Sequence, residues 1–388
     1  MPAGPVRTGP DGVFWPPGVP RKHPSLLKKI LQLLVGIVLA VALLALSLKG
    51  VDLRQVWRLT LAASPVLIVA SIGIGVFGHN LLRAWRWRIM LGPEKPGISF
   101  YNLFSTTLIG YAASWVLPFR VGEVLRPVLL AEREKIRTSA ALTTIVVERL
   151  LDGLAVVTLF SVCLSFWAGR EGIGEQGEKI LGFARTGSVV LLVGTVVLFA
   201  LLVIGAATRG RWKGRVELYA ARTHSRLAAG LARSVIGLVE GGAILTRPIG
   251  FAVVAVLSLV IWLVIGWATW LGLRAAGVRI TFPETFILMP ASVLGIGVPT
   301  PGGAGSYEYF VSQTLHHLFR QPLETALAAT LVLHVVITVI PVVLVGLALA
   351  WRDGVTPARL KAALAAVAGR PSPARASVPA GPSVEIAP

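Results

Sequence analysis

LPFRVGEVLRP at residues 117–127 and VPTPGGAGSYE at residues 298–308 each interrupt a long apolar stretch of the chain. Proline and glycine are the residues that most readily end a helix. At membrane depth such a break exposes N–H and C=O groups that hydrocarbon cannot satisfy, so it persists only inside protein or beside a wet cavity. Paired breaks in corresponding positions of two halves are typical of a binding site between structural repeats.

The composition indicates an integral membrane protein. Of the 388 residues, 55% are hydrophobic and 14% are charged, and the mean hydropathy is +0.76. These values exclude an ordinary soluble domain. A helix that crosses the bilayer needs about 20 apolar residues. Six stretches meet this requirement: 30–48, 64–82, 140–167, 187–207, 250–273 and 325–350.

The net charge of +19 is explained by topology. Most of the basic excess falls in five segments, 1–29, 83–99, 131–139, 208–247 and 351–388. The positive-inside rule then predicts a multi-pass protein of the inner (cytoplasmic) membrane with both termini in the cytoplasm. Attraction of anionic lipid accounts for the remaining basic character, and no nucleic-acid partner is expected.

The two interrupted regions are predicted to be re-entrant hairpins. The cytoplasmic-type segments 83–99 and 131–139 flank the first region, which must therefore enter and leave on one side, as a hairpin over about 100–131. The same argument predicts a second hairpin over about 285–319 that enters from outside. The predicted fold class is an all-α polytopic membrane protein with six spanning helices, two oppositely oriented hairpins and a possible inverted repeat.

The chain divides into three predicted parts. Residues 1–27 are expected to be a disordered cytoplasmic N-terminus, and 353–388 a cytoplasmic tail that is largely disordered. Residues 28–352 form the transmembrane domain. Within it, 211–245 is predicted to be an amphipathic helix on the cytoplasmic face, with a simple linker as the alternative.

The first break carries Arg120, Glu123 and Arg126 within seven residues. Charges at membrane depth are costly and usually functional. Arginine has a planar fork that matches phosphate oxygens, so Arg120 and Arg126 are predicted to bind a lipid phosphate, with Glu123 orienting them and Gly122 beside them. The alternative is an internal ion pair that only plugs the hairpin tip.

A second charged cluster lies in the long apolar stretch that follows. Glu148 and Asp152 are four residues apart and share a helix face with Arg149 close by. They are predicted to pair with Arg120 or Arg126 across the bundle and hold the first hairpin. Hydration at the cytoplasmic interface is the alternative. The segment RAWRWR at 83–88 is predicted to be an interface anchor.

The second break supplies Gly302, Gly303, Gly305 and Glu308 as candidate head-group-binding residues. Glycine lets the backbone approach a ligand closely, and the N–H groups of a following helix start favour anions. Glu308 is expected either to cap that helix or to touch a cationic head group. The lone Cys163 and the scattered histidines form no metal pattern, so no metal or cofactor is expected.

Three ordered motifs together resemble the lysylphosphatidylglycerol synthase transmembrane-region family, whose members are flippase-like membrane proteins. The motifs are Arg120-x-Gly122-Glu123-x-x-Arg126-Pro127, Val147-Glu148-Arg149-Leu150-Leu151-Asp152, and Pro299-x-Pro301-Gly302-Gly303-x-Gly305-x-x-Glu308. The resemblance spans about 28–352. In the bacterial multiple peptide resistance factor, such a module moves an aminoacylated phospholipid outward and is joined to a synthase domain. Here the resemblance implies the translocation module alone.

The resemblance therefore implies translocation of a polar, aminoacylated or glycosylated phospholipid between leaflets, with no catalytic residue. The expected partner is an anionic or aminoacylated phospholipid or a polyprenyl-linked lipid. One alternative is a membrane-embedded glycosyl- or head-group transferase that uses Glu123 or Asp152 as a base. Another is a non-catalytic membrane subunit of a separate lipid-modifying enzyme. The sequence is also compatible with a homo-oligomer.

Overall fold

The computed structural model describes residues 26–117, 120–167, 248–356 and 359–360, together with scattered positions between 178 and 218. Within these residues all regular structure is helical, which confirms the all-α prediction. The predicted span 187–207 and linker 211–245 lie largely outside the described residues. The same is true of most of the two predicted disordered ends.

The helices of the described ranges are numbered in chain order. The first six are α1 (Leu26–Leu48), α2 (Leu53–Leu61), α3 (Pro65–Leu91), α4 (Phe100–Val116), α5 (Gly122–Glu134) and α6 (Thr138–Trp167). The other four are α7 (Pro248–Ala275), α8 (Phe282–Gly297), α9 (Ser306–His317) and α10 (Leu323–Arg352). α3 and α10 each contain a π-helical segment, at Gly73–Gly78 and Val332–Val339. Such widened turns are frequent at functional sites.

Carboxylate side chains cap the N-termini of two of these helices. The Asp52 carboxylate accepts a hydrogen bond of 2.8 Å from the Arg54 N–H and caps α2. At the start of α8, Oε2 of Glu284 accepts a hydrogen bond of 2.7 Å from the Thr281 N–H. Each contact satisfies a backbone donor that the first helical turn would otherwise leave unpaired.

Four helices are long and apolar enough to cross a membrane, namely α3, α6, α7 and α10. They contain four of the predicted spans: 64–82, 140–167, 250–273 and 325–350. The predicted span 30–48 lies in α1, which meets the criterion only together with α2, and those two helices meet at an angle of 91°. The described residues therefore hold four candidate spans, or five with the bent pair, where the sequence predicted six.

Each proline-glycine stretch separates two short helices that pack against each other. α4 and α5 flank the break at 117–121, and α8 and α9 flank the break at 298–305. Near the first tip the helices are so close that a Cβ on Gly122 would lie 1.7 Å from the carbonyl oxygen of Gly110. The helical hairpins thus lie in the predicted segments. Their entry and exit on one membrane face stays a prediction.

The two halves of the chain repeat one helix order, in which two long helices flank a hairpin of two short ones. This order describes α3 to α6 and again α7 to α10. α3 and α7 run antiparallel, because Ser64 N donates to the Ala275 carbonyl (2.9 Å) and Ser71 Oγ donates to the Ala268 carbonyl (2.7 Å). Their C-terminal ends, where the hairpins start, therefore lie at opposite ends of the bundle.

Each half also packs its last long helix against the hairpin of the other half. α10 packs against α4, and α6 packs against α8. At the end of α10, Asp353 accepts a hydrogen bond from the Tyr101 hydroxyl (2.5 Å). At the end of α6, Nε1 of Trp167 donates to Oε1 of Glu284 (3.1 Å). Reciprocal packing of this kind is expected of an inverted repeat.

The Asp353 carboxylate joins α10 to both helices of the first hairpin. Besides Tyr101, it accepts hydrogen bonds of 2.7 Å from Ser105 Oγ and from Nη1 of Arg133. Burial raises the pKa of Asp353, but these three donors together bring the pKa below its ordinary value. The carboxylate therefore stabilises this end of the bundle in its ionised form.

Candidate functional site

The first hairpin tip places one carboxylate between two arginines. Arg120 has a left-handed backbone conformation (φ 50°), and about half of its side chain is exposed. Its Nη2 lies 3.3 Å from Oε1 of Glu123. The same oxygen lies 3.8 Å from Nη2 of Arg149 on α6. The tip therefore keeps a net positive charge.

The second hairpin tip is shaped by glycine. Gly302, Gly303 and Gly305 have φ values of 58°, 70° and 78°, in the left-handed region that glycine tolerates. A Cβ on Gly302 would lie 2.9 Å from the carbonyl oxygen of Trp115, near the end of α4. The two tips therefore approach each other inside the bundle.

A cavity of about 190 Å³ lies between the tips and has basic walls. Its charged lining residues are Arg83, Arg120, Glu123 and Arg149, and the second tip contributes Thr300, Gly302 and Gly303. Five buried atoms of its lining residues have no hydrogen-bond partner among the described residues, namely His79 Nδ1, Asn80 Oδ1, Arg83 Nε, Ser114 Oγ and Arg149 Nε. Two partly exposed arginines, Arg120 and Arg149, lie beside one glutamate with unused polar atoms near them, which favours an anionic ligand. We call this space the basic cavity.

A second cavity, of about 230 Å³, adjoins the basic cavity. The two share Gly75, His79, Trp115, Ile296 and Thr338 as lining residues. The remaining walls are mostly apolar and include Ile265, Met289, Val293, Leu333 and Ile337. We call this space the apolar cavity. Together the two form one site with a charged part and a hydrophobic part.

Behind the basic cavity, three arginines surround two carboxylates. Oε1 of Glu148 lies 2.9 Å from Nη1 of Arg83 and 3.0 Å from Nη1 of Arg126. The Asp152 carboxylate lies 2.8 Å from Nη1 of Arg83 and 2.7 Å from Nη1 of Arg86. None of these five side chains is more than 5% exposed. Burial of such charges is tolerated because each has a partner of opposite sign.

Arg126 lies in this ion network and does not line the basic cavity. Its side chain is 2% exposed, and its Cζ lies 4.0 Å from the ring centroid of Trp87. Arg120 and Arg126 were predicted to bind the same lipid phosphate, but only Arg120 faces the cavity. Arg126 instead joins α5 to α6. The expected pairing of Glu148 with Arg126 across the bundle is present.

Glu308 contacts both the tip of the second hairpin and the long helix α10. Its Oε2 accepts a hydrogen bond of 2.7 Å from the Gly305 N–H and caps α9. Its Oε1 lies 2.5 Å from Nδ1 of His334 on α10. The side chain is buried and lines neither cavity. Of the two roles expected for Glu308, the structure therefore shows the helix cap.

Two glycines that were predicted to bind the head group, Gly122 and Gly305, instead allow close packing of helices. Gly122 lies against Gly110, as described above. A Cβ on Gly305 would lie 2.1 Å from the carbonyl oxygen of Ala40 on α1. Gly122 therefore sets how closely the two helices of the first hairpin approach each other, and Gly305 sets how closely the second tip approaches α1. Neither residue lines the basic cavity.

Sequence reasoning missed Arg83 and Arg86. The segment 83–88 was predicted to be an interface anchor, and for these two arginines the prediction was wrong, because both are buried against carboxylates. A signal was present in the sequence. The two arginines are three residues apart and share a helix face, which matches the shared face of Glu148 and Asp152.

His79 and His334 were also missed. Both line the apolar cavity, and both also lie beside the basic one, since His79 lines it and Nε2 of His334 lies 3.1 Å from the Gly302 carbonyl oxygen. Each histidine stands alone in its apolar stretch, so no spacing pattern identified it.

Comparison with known proteins agrees with the motif resemblance. Residues 33–346 match the profile of the lysylphosphatidylglycerol synthase TM region. Glycosyltransferase AglD of Haloferax volcanii is 25% identical over 349 residues, which cover 83% of this chain and 54% of that protein. The chain thus spans about half the length of this curated relative. No solved structure matches the chain.

The family match extends over most of the chain and includes both hairpins, the ion network and the walls of both cavities. It confirms the family that the three motifs indicated. This protein belongs to the family of the lysylphosphatidylglycerol synthase transmembrane region.

Proposed function

We propose that this protein moves a phospholipid with a polar, aminoacylated or glycosylated head group from one membrane leaflet to the other. The proposal is carried by one observation, the basic cavity between two opposed hairpin tips that continues into an apolar cavity. A phosphate suits the first space, and part of a hydrocarbon chain suits the second. A ligand with both properties is an amphiphilic lipid.

In this proposal Arg120 and Arg149 bind the phosphate, and Glu123 between them keeps both guanidinium groups in place. Arginine suits this role because its fork donates two parallel hydrogen bonds to phosphate oxygens. Thr300 and the backbone near Gly302 line the opposite wall. Arg126 acts indirectly, by holding the first hairpin against α6.

The membrane arrangement is part of the proposal. α3, α6, α7 and α10 span the cytoplasmic membrane, and the predicted spans 30–48 and 187–207 supply the two further crossings that place both termini inside. The two hairpins are re-entrant. Because the hairpins start at opposite ends of the bundle, each would open toward a different leaflet. Family membership supports a role connected with membrane lipid, and inverted repeats of this kind provide access from alternate sides.

The test is lipid movement in liposomes that contain the purified protein and a fluorescent anionic phospholipid. A bleaching reagent added outside destroys only the outer-leaflet signal, so continued loss of signal reports movement. Arg120→Ala with Arg149→Ala should stop the movement. The matched control is Arg54→Ala with Arg58→Ala on α2, which also removes two positive charges but lies outside both cavities. The control should behave as the wild type.

Two outcomes would contradict the proposal. The first is no movement by the wild type for any of several head groups, anionic, aminoacylated or glycosylated. The second is equal movement by the double variant and the wild type. Mass spectrometry of the liposome lipids before and after the assay should show unchanged chemical species.

A second candidate function is lipid modification, either by the chain itself or with a separate enzyme as partner. The similarity to a protein named as a glycosyltransferase favours this candidate. Within the described residues, however, the carboxylates considered as bases have arginine partners, namely Glu123 beside Arg120 and Asp152 beside Arg86. New lipid species formed after a donor is added would favour this function.

A further inference from the structure

Each half of the fold ties the second helix of its hairpin to the following long helix through a buried pair of ionisable groups. In the first half Arg126 on α5 meets Glu148 on α6 at 3.0 Å. In the second half Glu308 on α9 meets His334 on α10. By helix order the two pairs occupy equivalent places, and all four side chains are 5% exposed or less.

The two pairs differ in chemistry. A guanidinium group is not deprotonated in proteins, so the first pair is permanently charged. Histidine is the side chain whose charge changes nearest to neutral pH, so the second pair can lose its charge. The fold therefore combines one fixed attachment and one attachment that can respond to protons.

The geometry around His334 requires an additional proton. Its Nε2 lies 3.1 Å from the carbonyl oxygen of Gly302, which can only accept, so this nitrogen must carry a hydrogen. Its Nδ1 lies 2.5 Å from Oε1 of Glu308. That contact needs a second proton, on the nitrogen or on the carboxylate. The arrangement thus holds one proton more than a neutral imidazole beside an ionised carboxylate.

We propose that Glu308 and His334 form a proton-binding site that holds the second hairpin against α10 and releases it when the proton leaves to the adjoining cavity. Without that proton, one of the two ring nitrogens faces an oxygen acceptor with no hydrogen between them. Either the contact to Glu308 or the contact to Gly302 is then lost. Because Gly302 lies at the hairpin tip, protonation controls one wall of the basic cavity.

Aromatic rings lie against the pair, and seven other ionisable side chains line the two cavities. His334 stacks on Tyr307 at a centroid distance of 4.4 Å and lies 5.4 Å from Trp115. The other ionisable groups that line the two cavities are His79 and Arg83 on α3, Tyr111 on α4, Arg120 and Glu123 at the first tip, Arg149 on α6 and Tyr307 on α9. Among the described residues of α7 and α8 that line the cavities, no side chain is ionisable. His79 is thus the other cavity-lining histidine that the test must separate.

The test measures the position of the hairpin and needs no lipid movement, although the inference deepens the proposed function. In a Cys163→Ser background, spin labels are attached at Ala304→Cys on the second tip and at Ile340→Cys on α10, both exposed positions. Their separation is measured in liposomes by pulsed electron paramagnetic resonance across pH. The matched control pair is Val124→Cys on α5 and Val146→Cys on α6, which reports on the first hairpin.

As the pH rises from about 5 to about 8.5, we expect a longer distance to replace a shorter one for the second hairpin. The ratio of the two populations should change by about tenfold or more, because a buried ionic contact is lost. The control pair should not change. His334→Gln and Glu308→Gln should each remove the pH dependence, whereas His79→Gln should keep it.

An unchanged distance distribution in the wild-type background over this pH range would overturn the proton site. So would a pH dependence that survives in His334→Gln. Failure of the proposed function can be distinguished from failure of the proton site. If only the proposed function is wrong, lipid movement is absent while the pH-dependent distance change persists.

Discussion

The guanidinium carbon of Arg126 lies 4.0 Å from the ring centroid of Trp87, so one arginine of the first hairpin stacks on an aromatic ring of α3. The same guanidinium donates to both carboxylate oxygens of Glu148, at 3.0 and 3.2 Å. Arg126 thereby joins α3, α5 and α6. The first hairpin is fixed to the bundle at this point.

This contact predicts that Arg126→Ala lowers the free energy of unfolding by about 3 kcal/mol, the usual effect of breaking a buried ion pair. Arg126→Lys should recover only part of it, because an ammonium group lacks the planar face that lies over the Trp87 ring. Unfolding in detergent micelles measures the effect. Arg88→Ala, an exposed arginine on α3, is the control. Normal stability together with lost lipid movement would show instead that Arg126 touches the lipid.

The close approach at the first tip predicts that Gly122→Ala disrupts the hairpin. The added Cβ would lie 1.7 Å from the Gly110 carbonyl oxygen, so the helix backbones must separate. The fraction of protein that stays monodisperse in detergent after heating should fall well below that of the wild type. Gly153→Ala on α6, with no atom within 4 Å of its added Cβ, should be neutral or slightly stabilising. Equal behaviour of the two variants would contradict the packing described for the tip.

The Asp353 contacts predict a pH-dependent contribution to stability. The folded-state pKa of Asp353 is lowered, so its contribution is present above the ordinary aspartate pKa of about 3.9 and is lost as pH falls through the lowered value. Asp353→Asn should therefore reduce the thermal midpoint at neutral pH. The difference from the wild type should shrink in acid. A difference that stays constant from neutral to acidic pH would exclude this linkage.

The antiparallel arrangement of α3 and α7 predicts opposite labelling of two exposed positions. In a Cys163→Ser background, Ser139→Cys at the start of α6 should react with a membrane-impermeant thiol reagent only from the cytoplasmic side. Arg279→Cys, between α7 and α8, should react only from outside. Reaction of both from the same side in intact cells would exclude the proposed topology.

The paired helices of the two hairpins and four of the spans were predictable from sequence because their signals are local, whereas the re-entrant course of the hairpins stays a prediction. Apolar length defines a span, and proline with glycine defines a break, without knowledge of any partner. The tip of the first hairpin also kept its predicted pairing of Arg120 with Glu123. Residues three apart on the chain meet wherever the intervening turn is helical.

The ion network was predictable only in part, because its contacts join distant residues. Arg83 and Glu148 are 65 residues apart and meet only after α3 and α6 have packed. For the same reason Arg126 was grouped with Arg120 by proximity in sequence, although the helical turn between them sends one guanidinium inward and the other to the cavity. Nothing in the sequence identified His334, because its contact with Glu308 forms only when α9 packs against α10.

The packing of α6 on α8 and of α10 on α4 has a consequence for how such a chain can arise. A polypeptide containing only one half would lack the long helix that packs against the first helix of its hairpin, because that helix is supplied by the other half. Such a half would need a second copy inserted upside down beside it. We therefore expect the ancestor of this fold to have been a dual-topology homodimer, and the two halves to be recoverable as a functional pair when they are produced as separate polypeptides.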